Sequence, residues 1–79
     1  MAGSNLSGTN MEESILTKAD LTAADLSGAN LKNAELINAN FTAADLTGAN
    51  LRGAKLAGSN FTRAKIEGIV LDEDIKLSI

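Results

Sequence analysis

The sequence predicts an all-β fold in which the chain winds into a square coil that stacks on itself. Three patterns predict it: a large apolar residue every five positions from Leu6 to Leu71, a small residue two positions before nearly every one, and Gly or Asn two positions after many of them. An α-helix does not explain this spacing, because five residues advance a side chain by about 140°. A flat strand also fails, because its side chains alternate between two faces.

A short extended segment followed by a corner accounts for the five-residue spacing. Residues two apart on an extended segment point to the same face, and a corner after each unit returns the next pair to that face. The small and the large residue of each unit therefore both point inward. The residues predicted to form the core are Leu21, Leu26, Leu31, Leu36, Phe41, Leu46, Leu51, Leu56, Phe61 and Ile66, with Ala24, Ala29, Ala44 and Ala49.

The glycines and two asparagines mark the corners. All seven glycines, together with Asn33 and Asn38, lie two positions after an inward large residue. Gly and Asn accept the positive φ that the third residue of a type II turn requires. Other residues occupy the same slot, and we expect a different turn type at these: Glu13, Lys18, Ala23, Ala43 and Arg63.

A longer period of twenty residues sets the number of sides. Segments 21–40 and 41–60 are identical at twelve of twenty positions, which predicts four sides per coil. Successive coils then lie about 4.8 Å apart. In this register Phe41 stacks on Phe61, and three threonines form an outward column: Thr22, Thr42 and Thr62.

The twenty-residue register also brings opposite charges together between coils. Exposed ion pairs contribute little stability, about 0.2–1 kcal/mol each, so these pairs serve mainly to test the register. Asp25 above Asp45 is the one unfavourable pairing. The predicted ion pairs are Glu12–Lys32, Glu35–Lys55, Asp45–Lys65 and Arg52–Asp72.

The five-residue unit resembles the motif A(D/N)LXX of the pentapeptide repeat family. The copies that carry the resemblance are Ala19-Asp20-Leu21, Ala24-Asp25-Leu26, Ala29-Asn30-Leu31, Ala39-Asn40-Phe41, Ala44-Asp45-Leu46 and Ala49-Asn50-Leu51. The resemblance covers nearly the whole chain and implies a right-handed quadrilateral parallel β-helix. Fourteen units correspond to about three and a half coils, a stack about 17 Å long.

The two ends depart from the motif. We expect one domain over residues 1–79, with repeats from about residue 4 to residue 71 and a different role for residues 72–79. Apolar residues alternate with polar ones in this tail, as in a strand with one apolar face, namely Ile75, Leu77 and Ile79. The tail is interpreted as a cap over the last coil, as an association strand that forms a homodimer through a terminal coil, or as a disordered segment.

The composition argues against catalysis and against several classes of partner. The chain has no Cys and no His, so the most common catalytic base and the thiol nucleophile are absent. Its Ser, Thr and Asp residues fall in repeat slots, and we expect no catalytic residue, cofactor or metal site. The formal charge of −3 argues against direct binding of nucleic acid. Because the sequence shows neither a signal peptide nor a membrane-spanning stretch, we expect a cytoplasmic protein without a membrane partner.

These observations favour a non-enzymatic structural or protein-interaction module whose rigid faces bind a protein that the sequence does not identify. The candidate contact residues, besides the tail, form one column of mixed charge: Glu12, Lys32, Arg52 and Asp72. The family resemblance also implies an alternative, a DNA mimic that binds a type II topoisomerase such as gyrase. A third interpretation is a truncated domain of a larger effector or regulator.

Overall fold

The chain, in a computed structural model that describes residues 1–72, is held together by parallel pairing between residues twenty positions apart. The first coil pairs with the second through Asn5–Asp25, Asn10–Asn30, Ile15–Glu35 and Asp20–Asn40, and the series continues without a gap to Asn50–Val70. Each five-residue side contributes one residue to this pairing, so the described residues contain no helix and no strand longer than a single bridging residue. The twenty-residue period predicted from the sequence is confirmed.

Backbone hydrogen bonds connect each coil to the coils on both sides. Asp25 donates its N–H to the carbonyl oxygen of Ser4 (2.9 Å) and accepts the N–H of Leu6 (2.7 Å), both in the first coil. Leu26, the next residue, donates instead to Asp45 in the third coil (2.7 Å). Neighbouring residues thus pair in opposite directions, as in any parallel ladder, and the ladder repeats on all four sides of the coil.

Every corner of the described coils has the same backbone conformation. All seven glycines and seven other residues in the corner slot have φ between 58° and 77°, and the next residue closes the turn, as Ala24 does by donating to Leu21 (3.0 Å). Positive φ is confirmed at the Gly and Asn corners, whereas the expectation of a different turn at the five other corners is wrong. The ladder determines the corner, because Ala23 and Ala43 donate their N–H groups to carbonyls of the next coil (2.8 Å each). A residue other than Gly in the left-handed conformation lowers stability by about 1–2 kcal/mol. The hydrogen bonds between coils offset this loss. The other non-glycine, non-asparagine corners also have positive φ: Glu13, Lys18 and Arg63.

The core is a narrow aliphatic column inside the stack. No polar or charged side chain is buried within residues 1–72, and Phe41 and Phe61 stack with ring centroids 4.8 Å apart and planes 4° apart. This distance matches the spacing of paired strands. Of the residues expected in the core, Leu56 and Ile66 are half-buried, packed against the column. The buried residues are Leu21, Ala24, Leu26, Ala29, Leu31, Ala34, Leu36, Ala39, Phe41, Ala44, Leu46, Ala49, Leu51, Ala54 and Phe61.

The two ends of the described stack differ from its middle. In the first coil Thr9 and Ser14 occupy the Ala slot, and their hydroxyls donate to the carbonyls of Leu6 and Met11 (2.7 Å each). At the other end Gly53 donates its N–H to a carboxylate oxygen of Asp72 (3.0 Å). The corresponding corner N–H groups of earlier coils donate to a backbone carbonyl nineteen positions ahead. At Asp72 a side chain therefore replaces the backbone acceptor.

The predicted roles of Ile75, Leu77 and Ile79 concern residues outside the described part of the chain. Within residues 1–72, no helix has the length and hydrophobicity needed to cross a lipid bilayer.

Candidate interaction surface

The outward residues form four flat sides, which are numbered here by their order in the chain. Each side is one column of the residues that bridge between coils. Side 1 carries Asn5, Asp25, Asp45 and Lys65; side 2 carries Asn10, Asn30, Asn50 and Val70; side 3 carries Ile15, Glu35 and Lys55; side 4 carries Asp20, Asn40 and Asn60.

On sides 1, 2 and 4, Asp and Asn side chains are held by the backbone two residues ahead. Asn40 Oδ1 accepts the N–H of Thr42 (3.0 Å) and also its hydroxyl (2.5 Å). Asp45 Oδ1 accepts the corresponding groups of Thr47 at 3.0 and 2.6 Å. These are Asx-type hydrogen bonds, and they fix the rotamers of exposed residues. The same backbone bond is made by Asn5, Asn10, Asp20, Asp25, Asn30, Asn50 and Asn60.

The same hydrogen bonds favour the ionised form of two carboxyl groups. The hydroxyl of Thr22, followed by its backbone N–H, lowers the pKa of Asp20 below its ordinary value. Thr47 lowers the pKa of Asp45 in the same way, and the positive charge of Lys65 contributes least. Both carboxylates are therefore anionic acceptors at neutral pH, positioned by their neighbours on the chain.

Side 3 lacks this network because its bridging column contains no Asp or Asn. Ile15 is 74% exposed, and Lys55 Nζ lies 3.7 Å from Glu35 Oε1. Ile37, two residues after Glu35, is half-buried. Side 3 therefore brings aliphatic side chains to the surface in place of Asp and Asn. Ile15 is not among the residues predicted to make contacts, although it occupies a slot that holds Asp or Asn in most repeats of the sequence.

The column of mixed charge lies at the corner between sides 2 and 3, in the predicted register. Glu12 does not pair with Lys32; one of its carboxylate oxygens accepts Asn30 Nδ2 (3.3 Å). Asp72 does not pair with Arg52, because its carboxylate accepts the N–H of Gly53. The carboxylates of Glu12 and Asp72, which the predicted ion pairs required, thus accept hydrogen bonds from an amide and from a backbone N–H.

Among residues 1–72 the ion pair that forms is Glu35–Lys55. The predictions of ion pairs at Glu12–Lys32, Arg52–Asp72 and Asp45–Lys65 are therefore wrong.

The surface of residues 1–72 offers flat sides rather than a cleft. The structure has no pocket in the part described, and no cluster of Asp and Glu there has the arrangement of a metal site. Periodic columns of fixed polar groups are suited to contact another flat surface.

A stack of square coils with inward Ala and Leu and left-handed corners defines a β-solenoid repeat protein. The family model for pentapeptide repeats matches residues 1–33 and 34–72, with eight copies of the repeat. The chain belongs to the pentapeptide repeat family.

Two solved structures of this family are similar to the chain. A pentapeptide repeat protein from the thylakoid lumen of Arabidopsis thaliana is 38% identical over 86% of this chain and 47% of its own, with a TM-score of 0.84. HetL, a pentapeptide repeat protein involved in regulating heterocyst differentiation in the cyanobacterium Nostoc sp. strain PCC 7120, is 35% identical over 90% of this chain and 31% of its own, with a TM-score of 0.63. The chain thus spans less than half the length of either structure. No curated protein matches it significantly.

These relatives place the fold in the right-handed quadrilateral β-helix class. Members of the family are in general structural or interaction modules rather than enzymes.

Proposed function

We propose that this chain is a non-enzymatic interaction module that binds a protein partner through the flat sides of a β-helix of about three and a half coils. The observation that carries the proposal is the set of Asx-type hydrogen bonds on sides 1, 2 and 4. Binding normally orders flexible side chains at a cost of about 0.5–1.5 kcal/mol each. Side chains that the backbone already fixes avoid much of this cost.

Each side presents a different chemistry, so one partner is expected to select one side. Side 4 alternates Asp or Asn with Thr, while side 3 exposes Ile15 beside the Glu35–Lys55 pair. The candidate residues Glu12, Lys32, Arg52 and Asp72 lie along the corner between sides 2 and 3 and would contribute polar contacts at the edge of an interface there.

The experiment is a set of four variants, each of which changes the charge of one exposed residue in the bridging column of one side. Lys65→Glu, Asn10→Arg, Ile15→Arg and Asn60→Arg alter sides 1, 2, 3 and 4 in turn. Proteins captured from a lysate of the source organism are purified, and their direct affinity for each variant is measured after circular dichroism has confirmed the fold.

The proposal predicts at least about a tenfold loss of affinity for one variant, equivalent to about 1.4 kcal/mol, and little change for the other three. Equal binding to all four variants, or no direct binding by any purified protein, would contradict it.

The gyrase-binding DNA mimic remains the alternative proposal. The charge of −3 supports it, whereas the mixed signs along the columns do not, because a DNA backbone is uniformly negative. A DNA supercoiling assay separates the two functions. Inhibition of gyrase by the unchanged chain supports the alternative, and unaffected supercoiling at high protein concentration excludes it.

A further inference from the structure

Side 3 differs from the other three sides in the charges of its bridging column. The second coil contributes Glu35 and the third coil Lys55, whose side chains are 40% and 66% exposed. In the same two coils, side 1 carries Asp25 and Asp45, and sides 2 and 4 each carry two asparagines. Side 3 is therefore the side with opposite charges in the second and third coils.

A two-fold rotation brings these opposite charges together between two copies of the chain. The axis lies in the plane of side 3, runs across the stack and passes between the second and third coils. It places Glu35 opposite Lys55 of the partner subunit and Lys55 opposite the partner's Glu35, so that four charges alternate in sign. The same rotation on side 1 would place Asp25 opposite Asp45 of the partner subunit, and like charges directly opposite each other are unfavourable.

Aliphatic side chains lie beside the charged residues on side 3. Ile37, two residues after Glu35, is half-buried, and Ala57, at the equivalent position of the third coil, is exposed. The rotation packs Ile37 of each copy against Ala57 of the partner subunit, so that a larger side chain meets a smaller one. Sides 2 and 4 offer neither feature, because their paired asparagines are neutral and each already accepts a backbone N–H from two residues ahead.

The like charges nearest to this contact lie at its rim. Lys32 and Arg52 occupy the corner between sides 2 and 3, and both are exposed. The rotation also brings these two residues opposite each other. Charges at the solvated rim of an interface have less effect on affinity than charges at its centre, so the pairs formed by Glu35 and Lys55 are expected to dominate.

We propose that two copies of this chain associate side by side through side 3, with their stacks antiparallel. Both copies contribute the same residues, and such an isologous contact closes as a dimer. The contact is formed by the second and third coils and leaves sides 1, 2 and 4 exposed. It therefore does not depend on the function proposed for those sides.

The size of side 3 predicts a weak, reversible dimer. The molecule measures 29 × 23 × 22 Å, so one side contributes at most about 700 Å² per partner, less than the roughly 800 Å² of a standard interface. Because the area is small, the alternating charges decide whether the two faces bind and in which register.

Analytical ultracentrifugation over a concentration series tests the proposal with single charge reversals. Glu35→Lys and Lys55→Glu each place like charges opposite one another in the dimer. Lys65→Glu is the matched control, because it makes the same substitution as Lys55→Glu at an exposed position of side 1. Circular dichroism establishes that each variant is folded.

We expect a dimer for the unchanged chain and for Lys65→Glu. Association should be at least about tenfold weaker for Glu35→Lys and for Lys55→Glu, because like charges opposed across an interface are strongly unfavourable. A monomer at the highest concentration would overturn the proposal, as would a series of species larger than a dimer. Unchanged association of both reversals, or equal weakening by Lys65→Glu, would also overturn it.

A mixture of the two reversed variants gives the most specific measurement. Glu35→Lys leaves two positive residues in the bridging column of side 3, and Lys55→Glu leaves two negative ones, so opposite charges face each other only in a heterodimer. The proposal predicts that the mixture associates more strongly than either variant alone. A mixture that associates no more strongly than its components contradicts it.

A double variant covers the case in which a single reversal does not fold. Glu35→Lys combined with Lys55→Glu exchanges the two charges, and it restores opposite charges both within each copy and across the dimer. We expect this variant to associate as the unchanged chain does, and a double variant that stays monomeric contradicts the proposal.

Discussion

The first and second coils carry the same repeat, yet they differ in how well they bury it. Leu6 and Leu26 occupy equivalent positions, twenty residues apart, but Leu26 is completely buried and Leu6 is half-buried. Burial of a residue therefore depends on the presence of a coil on each side of it, and the motif alone does not bury it. Each coil of a solenoid is stabilised by its nearest neighbours, and the first coil has one neighbour where the second has two.

Leu26→Ala and Leu6→Ala compare the two coils most directly, and we expect the largest effect here. Leu→Ala in a well-packed core costs about 2–5 kcal/mol, so Leu26→Ala should fall in the upper part of this range and Leu6→Ala below about 2 kcal/mol. Urea unfolding followed by circular dichroism measures both. Equal losses would show that the first coil is as well supported as the second.

Gly53→Ala and Gly28→Ala extend this test to the corners. Both glycines have positive φ, but a Cβ at Gly28 meets nothing within 4 Å, whereas one at Gly53 would lie 2.1 Å from Asn33 Oδ1. We expect Gly28→Ala to cost about 1 kcal/mol, and Gly53→Ala to cost at least about 1 kcal/mol more, since Asn33 must move. The free energy of unfolding is measured for each.

The variant Asn33→Gly provides the control for this pair. Combined with Gly53→Ala in a double-mutant cycle, it should recover most of the additional loss. Additive losses in the cycle would indicate that Asn33 does not cause the difference.

The Glu35–Lys55 pair tests how much the side chains between coils contribute. Its side chains are 40% and 66% exposed, so a double-mutant cycle with Glu35→Gln and Lys55→Gln should give a coupling of about 0.2–1 kcal/mol. The coupling should disappear in 1 M salt, where charges are screened beyond roughly 3 Å. A coupling that persists in high salt would indicate a contact other than an ion pair.

The smallest effect is expected from acid, and it should have the same direction in the first and third coils. Hydrogen bonds from Thr22 and Thr47 lower the pKa of Asp20 and Asp45 in the folded chain. The stability gained from these bonds is complete above the unfolded pKa of about 3.9 and is lost as the pH falls through the lower folded pKa.

Asp20→Asn and Asp45→Asn keep a side-chain oxygen that can accept the same hydrogen bond, because Asn40 Oδ1 accepts the N–H of Thr42 in this way. Each should flatten the dependence of the unfolding free energy on pH below about 4. An unchanged slope in both variants would mean that other carboxyl groups control the acid response.

The sequence predicted the parts of the fold that depend on periodic side chains. The inward column, the coil period and the stacking of Phe41 on Phe61 follow from spacing alone, because an apolar residue every five positions fits few backbones. The corners were only partly predictable. Local propensity identified Gly and Asn as corner residues. The hydrogen-bond ladder between coils imposes the same positive φ on Ala23 and Arg63, and local propensity does not include that tertiary constraint.

The surface was less predictable than the core. Charge alternation predicted four ion pairs, but a carboxylate accepts from whichever donor is nearest. In the structure these donors are an amide or a backbone N–H for Glu12 and Asp72, and Thr47 for Asp45. Similarly, no spacing rule indicates that Ile15 is exposed, since its exposure depends on the absence of a coil above it.

The constant offset of twenty residues between paired positions also determines how such a chain can change in length. Duplication of twenty residues would lengthen the stack and leave every downstream residue on its original side. Insertion of a single five-residue unit would preserve the inward column but rotate everything after it by a quarter turn, so that residues of one side would move onto the next. The surface could therefore be rearranged around the axis without any substitution in the hydrophobic interior.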